Sequence, residues 1–276
     1  MVGESNQLSV DTDSLSLRLL ILLVSVELFF VVLDIVVNYA EFIPYNSIQR
    51  LCNIAREDGL AAWFMTSQTM VAALVLWLLY WLSRQLDGAG AAFQRRGWMI
   101  LALFFTYMSA DDGALIHERM GTMFEDMLRA SEKTADAGFL TQWLSLFPGY
   151  QWQFLLPVFV AIGLYMLYFL WRVLGMSRAM LMVLAAFSSM ATAVILDFIE
   201  GIPADHALNV YSWLKHAFLL EDYTVDHFAK SMEEFLEMLS ISLFLAVFVA
   251  QVGRVRAGAF IVRFTSSNQT DKTHVV

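Results

Sequence analysis

Three short stretches of an otherwise apolar sequence are rich in acidic residues, and one of them also contains a histidine. The stretches are 109–121, 196–201 and 233–237, which read SADDGALIHERMG, LDFIEG and EEFLE. Carboxylate oxygens are the ligands that Ca²⁺, Mg²⁺ and Mn²⁺ prefer, and an added imidazole suits Zn²⁺, Mn²⁺ or iron. Crowded carboxylates repel one another unless they bind a cation or share protons. We therefore predict a divalent-cation site, of unspecified metal, with these candidate ligands: Asp111, His117, Glu118, Asp197, Glu200, Glu233 and Glu237.

The composition indicates that these residues lie in a membrane protein. Hydrophobic residues make up 59% of the 276 positions, charged residues make up 16%, and the mean hydropathy is +0.61. Soluble proteins average about 25% charged residues, and a helix needs about 20 apolar residues to cross a bilayer. We predict an all-α, six-helix transmembrane bundle as a single domain (17–254) between two polar tails (1–16 and 255–276). The predicted spans are 17–39, 61–82, 97–118, 154–173, 179–200 and 233–252.

The distribution of arginine predicts the orientation of the bundle. Arginines lie in two of the connections and in the C-terminal tail: Arg84, Arg95 and Arg96, then Arg172 and Arg178, then Arg254, Arg256 and Arg263. Basic residues favour the cytoplasmic side, so these regions and both termini are predicted to be cytoplasmic. The long connections 121–152 and 201–232 would then face outward, partly as helices. No basic residue precedes the first span, which argues for a retained helix rather than a signal peptide. We expect a multi-pass protein of the bacterial inner membrane.

This orientation brings the acids of five helices to one level near the outer leaflet. A charged side chain at the bilayer centre costs about 2.5–3.5 kcal/mol, so such groups usually face the bundle interior and have partners. Residues three, four or seven apart share a helix face, and three pairs have this spacing: Asp111 with Glu118, Asp197 with Glu200, and Glu233 with Glu237. In a straight helix Asp112 and His117 point about 100° away from the first pair. They would join it only if Gly113 loosened the turn.

Simpler explanations exist for some of these acids. Charges at a helix end, such as Glu118 and Glu200, can mark the headgroup level. Glu233 and Glu234 open the predicted last helix, where carboxylates complement the positive end of the helix dipole. These explanations fit Asp111 and Asp197 less well, because both are predicted to lie deeper.

Glu27 is predicted near the middle of the first helix, with Asp34 seven residues on and on the same face. The two acids would suit a polar track for protons or cations. Alternatively, Glu27 is protonated and has a structural role, which we slightly favour. Its hydroxyl-bearing partners would then be residues such as Ser188, Ser189 or Thr192.

Four motifs resemble those of a family of uncharacterised bacterial multi-helix inner-membrane proteins. They read REDGLAAWF, SADDGALIHERMG, DFIEG and MEEFLEML, and they follow a DD-x4-HE … EExxE pattern. The resemblance implies a six-helix organisation but supplies no reaction. It also implies an important acid set: Glu57, Asp111, Asp112, His117, Glu118, Glu233 and Glu234. A looser analogy is with membrane hydrolases of the alkaline ceramidase type, which use three histidines. Here, by contrast, His206, His216 and His227 are predicted in an outer connection.

Three classes of function fit this sequence. The first is a metal-binding membrane protein that acts on a lipid or other apolar substrate, with the metal activating water. The second is a non-catalytic subunit or assembly factor that contacts other membrane-protein subunits. The third is a cation or proton transporter. The sequence leaves open whether the protein is an enzyme. It has no basic stripe suited to nucleic acid, and membrane lipids are its expected surroundings.

The orientation has a direct test. Alkaline phosphatase is active only outside the cytoplasm, so a fusion after Gly121 should give active phosphatase in a bacterial host. The matched fusion after Asp87, in an arginine-rich connection, should be inactive. The reverse pattern of activity would invert the topology.

Overall fold

The computed structural model describes residues 7–40, 42–88, 90–134, 154–255 and 260–263. The first helix, α1, is continued by a π-helix at Ile35–Tyr39. The helices are α1 (Thr12–Asp34), α2 (Asn46–Cys52), α3 (Leu60–Ser83), α4 (Ala91–Ala114), α5 (Ile116–Thr134), α6 (Leu156–Leu174), α7 (Arg178–Glu200), α8 (Val210–Phe218) and α9 (Asp222–Arg254). Two short strands, β1 (Gln7–Val10) and β2 (Phe260–Arg263), complete the described part of the chain.

The chain is an integral membrane protein built from apolar helices. Five helices in the described residues are long and apolar enough to cross a membrane: α1 with its π-helix, α3, α6, α7 and α9. The α4–α5 pair makes a sixth if it is counted as one span, and it is bent by 68°. The helical class is thus confirmed, with five to six spans. The predicted third span, 97–118, is not one straight helix, because it runs across this bend.

The long helix α9 forms the centre of the bundle. It packs against α1, α3 and α7, while α3 packs against α4. Within its most apolar window 67% of the residues are buried, against 17% in α1. Phe244 and Phe248 of α9 make edge contacts with Phe105 of α4, and Phe187 of α7 contacts Phe244. Because lipid tails are as apolar as these side chains, such close packing is a main source of helix association.

The start of α9 corrects two sequence-based expectations. The helix begins at Asp222 rather than at Glu233. Glu233 and Glu234 therefore lie about three turns inside it, and the dipole of a first turn does not explain them. His227, predicted in an outer connection, is a buried residue of the same helix.

A pair of strands connects the segment before the first helix with the segment after the last one. β1 precedes α1, β2 follows α9, and the two strands are antiparallel, with Gln7 opposite Arg263. The chain therefore enters and leaves the bundle at the same end. The far ends of α1, α4 and α7, and the first half of α9, lie at the other end.

Gly97 allows α4 to approach α6 closely. A Cβ atom at this position would lie 1.9 Å from Cε2 of Phe169, which is fully buried and wedged against Trp98 at a ring distance of 4.9 Å. We expect Gly97→Ala to destabilise the bundle by about 1–3 kcal/mol, the usual range for overpacking. Thermal unfolding in detergent measures this effect.

Gly163 provides the matched control. A Cβ atom there would meet Phe187 at 3.6 Å, an ordinary contact distance. Gly163→Ala should therefore leave the unfolding temperature nearly unchanged. Equal effects of the two alanines would show that Phe169 moves aside freely.

Candidate functional site

An acidic cavity of about 630 Å³ opens at the end of the bundle opposite the strand pair. The start of α3, the α4–α5 junction, the end of α7 and the first half of α9 form its walls. Nine carboxyl groups line it, together with His117 and Lys230. The carboxyl groups are those of Glu57, Asp112, Glu118, Glu125, Asp197, Glu200, Glu233, Glu234 and Glu237.

The bend between α4 and α5 decides which acids face this cavity. Leu115 has a φ of 53° and a ψ of 46°, a left-handed conformation that ends α4. Asp111 then accepts a hydrogen bond from the backbone N–H of His117 at 2.8 Å, and its other oxygen lies 2.8 Å from His117 Nδ1. Asp111 thereby satisfies a backbone donor that the first turn of a helix leaves without a partner. Its carboxylate is occupied at the helix junction.

The bend also overturns the straight-helix argument for Asp111 and Glu118. Asp112, His117 and Glu118 line the cavity, whereas Asp111 is buried beside it. Asp112 accepts a hydrogen bond from Thr69 of α3 at 3.1 Å. The distorted turn that Asp112 and His117 needed does occur, but its left-handed residue is Leu115 rather than Gly113.

Three carboxylate oxygens at the cavity are buried and have no hydrogen-bond partner among the described residues. They are Asp197 Oδ2 and Glu200 Oε2 of α7 and Glu233 Oε2 of α9. Glu233 is only 4% exposed, and its other oxygen accepts from Lys230 Nζ at 2.6 Å. A buried polar atom without a partner is costly, and a proton, an ordered water or an ion is the usual remedy.

The loop before α3 adds Glu57 to the wall. Asp58 binds both neighbouring arginines, Arg50 and Arg56, and the hydrogen bond from Arg56 holds the pKa of Asp58 below its usual range. Glu57 lines the cavity, as does Glu118 of α5.

Tyr211 of α8 lies close to the acidic cavity. Its hydroxyl donates to the Leu196 carbonyl at 3.1 Å. Burial, and then the nearby carboxylates of Glu233 and Glu200, raise the pKa of Tyr211. The carboxylates thus act electrostatically on a phenol outside the membrane-spanning segments.

Two predicted intramembrane acids lie outside the cavity. Asp34 pairs with His227 at 2.9 Å, and Asn38 donates to its other oxygen at 2.8 Å. Glu27 is hydrogen-bonded to Ser242 of α9 and Gln68 of α3.

Glu27 is bonded to a serine across a helix interface, as predicted, but this serine is Ser242 of α9 rather than one of the examples on α7. Thr192 donates to the carbonyl of Ser188 within α7 instead.

Sequence reasoning also missed Lys230 and Glu125. Lys230 lies three residues before Glu233, the helical spacing for an ion pair, but α9 was expected to begin after it. Glu125 lies on α5, which was interpreted as part of a connection. It also binds Arg129, one turn further along α5.

The carboxyl groups are distributed over the walls and do not converge on one point. Within the described ranges, no three His, Cys, Asp or Glu side chains are placed to hold one metal ion.

Removal of the Asp111 carboxylate should loosen the α4–α5 junction. Asp111→Ala deletes both contacts to His117, and a hydrogen bond to a charged group contributes about 1.5–3 kcal/mol. We expect faster amide hydrogen exchange in the first turn of α5 and a lower unfolding temperature. Asp126→Ala, at an exposed acid of the same helix, is the control. Unchanged exchange in Asp111→Ala would show that Asp111 does not hold the junction.

Comparison with known proteins gives a family but no activity. None of the curated proteins or solved structures compared with the chain matches it. Residues 17–252 match a family described as a domain of unknown function (DUF8692). The expectation of an uncharacterised family is confirmed, and the matched range contains all helices from Leu17 of α1 to Val252 of α9. The chain belongs to the DUF8692 family.

Proposed function

We propose that this integral membrane protein binds a divalent cation in the acidic cavity. The observation that carries the proposal is the set of partnerless oxygens on Asp197, Glu200 and Glu233. They come from two different helices and line the same space. A hydrated cation in this space would reach them through the water molecules that it keeps.

The charge balance of the cavity supports the same conclusion. Nine carboxyl groups face one lysine, and Lys230 is already engaged by Glu233 at 2.6 Å and Glu234 at 3.8 Å. Carboxylates packed at this density repel one another unless protons or cations are taken up. A bound cation lowers the electrostatic free energy of the folded bundle.

The type of cation follows from the ligands and their spacing. Nearly all the donors are carboxylate oxygens, and His117, whose Nδ1 contacts Asp111, is the one imidazole among the lining residues. Hard oxygen-preferring ions suit this set better than zinc. Because Mg²⁺ keeps several waters and uses only one or two carboxylates, its hydrated form fits side chains that do not converge.

The orientation of the cavity is part of the proposal. The strand pair places the segments before α1 and after α9 on the same side of the bundle. This arrangement requires an even number of membrane crossings. We propose six crossings, with α4 as the third, and place the cavity at the outer side of a bacterial inner membrane. The helix α8 exposes Trp213 and Phe218, as expected for a helix along the headgroups.

A reaction on a lipid or other apolar substrate is the second candidate. It is supported by the cavity wall, which contains the apolar side chains of Ala62, Met65, Leu115 and Val194 as well as the acids. A cation there would activate water, and a remaining carboxylate would act as general base. The docking of a partner subunit stays a prediction from the sequence.

Cation binding can be measured with Mn²⁺ as a paramagnetic probe of the purified protein in detergent. We expect saturable Mn²⁺ binding that Mg²⁺ and Ca²⁺ displace. Glu233→Gln and Asp197→Asn remove charge with little change of shape, and each should weaken the affinity by about 10–100-fold, the range seen when groups at metal sites are lost. Lys230→Gln should tighten binding, because it removes the competing positive charge.

Asp87→Asn is the matched control. It makes the same chemical change at an exposed acid in the connection between α3 and α4, away from the cavity, and should leave the affinity unchanged. The proposal fails if the folded wild-type protein shows no saturable Mn²⁺ binding. It also fails if the two cavity variants bind as well as the control.

A further inference from the structure

A second polar group lies in the middle of the bundle, where α1, α3 and α9 meet. Glu27 and Ser242 are 0% exposed, and Gln68 is 3% exposed. Ser242 Oγ donates to Glu27 Oε1 at 2.6 Å, and Gln68 Nε2 donates to the same oxygen at 3.1 Å. Gln68 Nε2 also donates to Ser242 Oγ at 2.5 Å. The three side chains form a closed triangle.

Two oxygen atoms of this triangle take no part in its hydrogen bonds. Glu27 Oε2 and Gln68 Oε1 have no partner among the described residues. Both are acceptors when Glu27 is ionised, and no described lysine, arginine or histidine pairs with this carboxyl group. An unpaired charge or an orphaned polar atom in so dry a site is strongly unfavourable. One proton on Glu27 Oε2 removes the charge and turns that atom into a donor.

We propose that Glu27 is a proton-binding site that exchanges its proton with the acidic cavity. The two sites share structural elements. Gln68 of the triangle is followed in α3 by Thr69, whose hydroxyl donates to the cavity residue Asp112. On α9, Ser242 lies five residues beyond the cavity residue Glu237, which is about 7.5 Å along a helix.

The proton moves between oxygen atoms of the protein and water. The O–H bond at Glu27 Oε2 breaks, a cavity carboxylate such as Glu237 accepts the proton, and cavity water carries it away. The carboxylate left behind keeps the hydrogen bonds from Ser242 and Gln68. The return of a proton by the same route restores the neutral group.

The surroundings of Glu27 set the direction of any coupling to the cavity. Its hydrogen-bond partners, Ser242 of α9 and Gln68 of α3, are not ionisable. The ionisable groups nearest to it along the shared helices are Asp34, seven residues further along α1 and paired with His227, and Glu237, five residues before Ser242 on α9. A cation in the cavity would favour release of the Glu27 proton, because its positive charge stabilises the carboxylate. This consequence rests on the proposed cation binding, whereas the proton site itself does not.

Infrared spectroscopy of the protein in detergent tests the proton site. A protonated carboxyl group has a C=O band that is separate from the carboxylate bands and moves to lower frequency when deuterium replaces the proton. We expect such a band in the wild-type protein, the loss of its Glu27 component in Glu27→Gln, and a shift of that component after transfer to D₂O. Asp34→Asn is the control, because it changes a buried acid that pairs with His227 and should leave the band in place. A band that is missing, or that does not shift in D₂O, overturns the proposal.

Carbodiimide labelling of the wild-type chain is a second measurement that does not depend on the folding of a variant. Apolar carbodiimides react with protonated carboxyl groups in apolar surroundings, so mass spectrometry should find Glu27 modified at acidic pH and progressively less modified as the pH rises. Absence of the label at acidic pH overturns the proton site, even where Mn²⁺ binds. Labelling without Mn²⁺ binding supports the proton site and refutes cation binding in the cavity.

Discussion

An ionisable side chain inside a lipid bilayer needs a partner within the protein, and this constraint organises the bundle around α9. Lipid offers neither hydrogen bonds nor counter-charges, so each buried polar group is stable only where another helix or another turn supplies them. Three levels of α9 meet this need. His227 pairs with Asp34 of α1, Lys230 holds Glu233 on α9 itself, and Ser242 donates to Glu27 of α1.

The polar contacts of α9 also fix how its apolar side chains align with those of the neighbouring helices. Hydrophobic contacts between helices in lipid have little directional preference, because the lipid tails compete for the same surfaces. Hydrogen bonds from His227 and Ser242 to α1 leave only one alignment of the two helices along their axes. In that alignment Phe244 and Phe248 meet Phe105 of α4.

The α4–α5 junction shows how a local break builds a site. Leu115 adopts a left-handed conformation, which costs a residue with a side chain roughly 1–2 kcal/mol. The contacts between Asp111 and His117 offset this cost. The bend turns Glu118 and His117 toward α7 and α9 and leaves the cavity open between these helices. Strain of this kind is often found at functional sites.

Much of the fold could be predicted from the sequence because hydropathy is a property of each segment alone. The α-helical class and the approximate positions of the spans follow from runs of about 20 apolar residues. Charged residues near the helix ends obscured the boundaries. His227, Lys230 and Glu233 look like a polar connection when they are read without their partners, yet they lie inside α9. The bend at Leu115 has no comparable signal, since neither glycine nor proline stands at that position.

The sequence by itself determined that acids from several helices collect at one end of a membrane bundle, because their positions relative to the spans set their depth. Only the tertiary structure decided which of them face each other. Asp111 binds His117 at the helix junction, and Asp112 rather than Asp111 lines the cavity. The partners of Glu27 are Gln68 and Ser242 rather than a serine of α7. The physical reason is that periodicity places a side chain on a helix face. The direction of that face depends on the packing of the neighbouring helices.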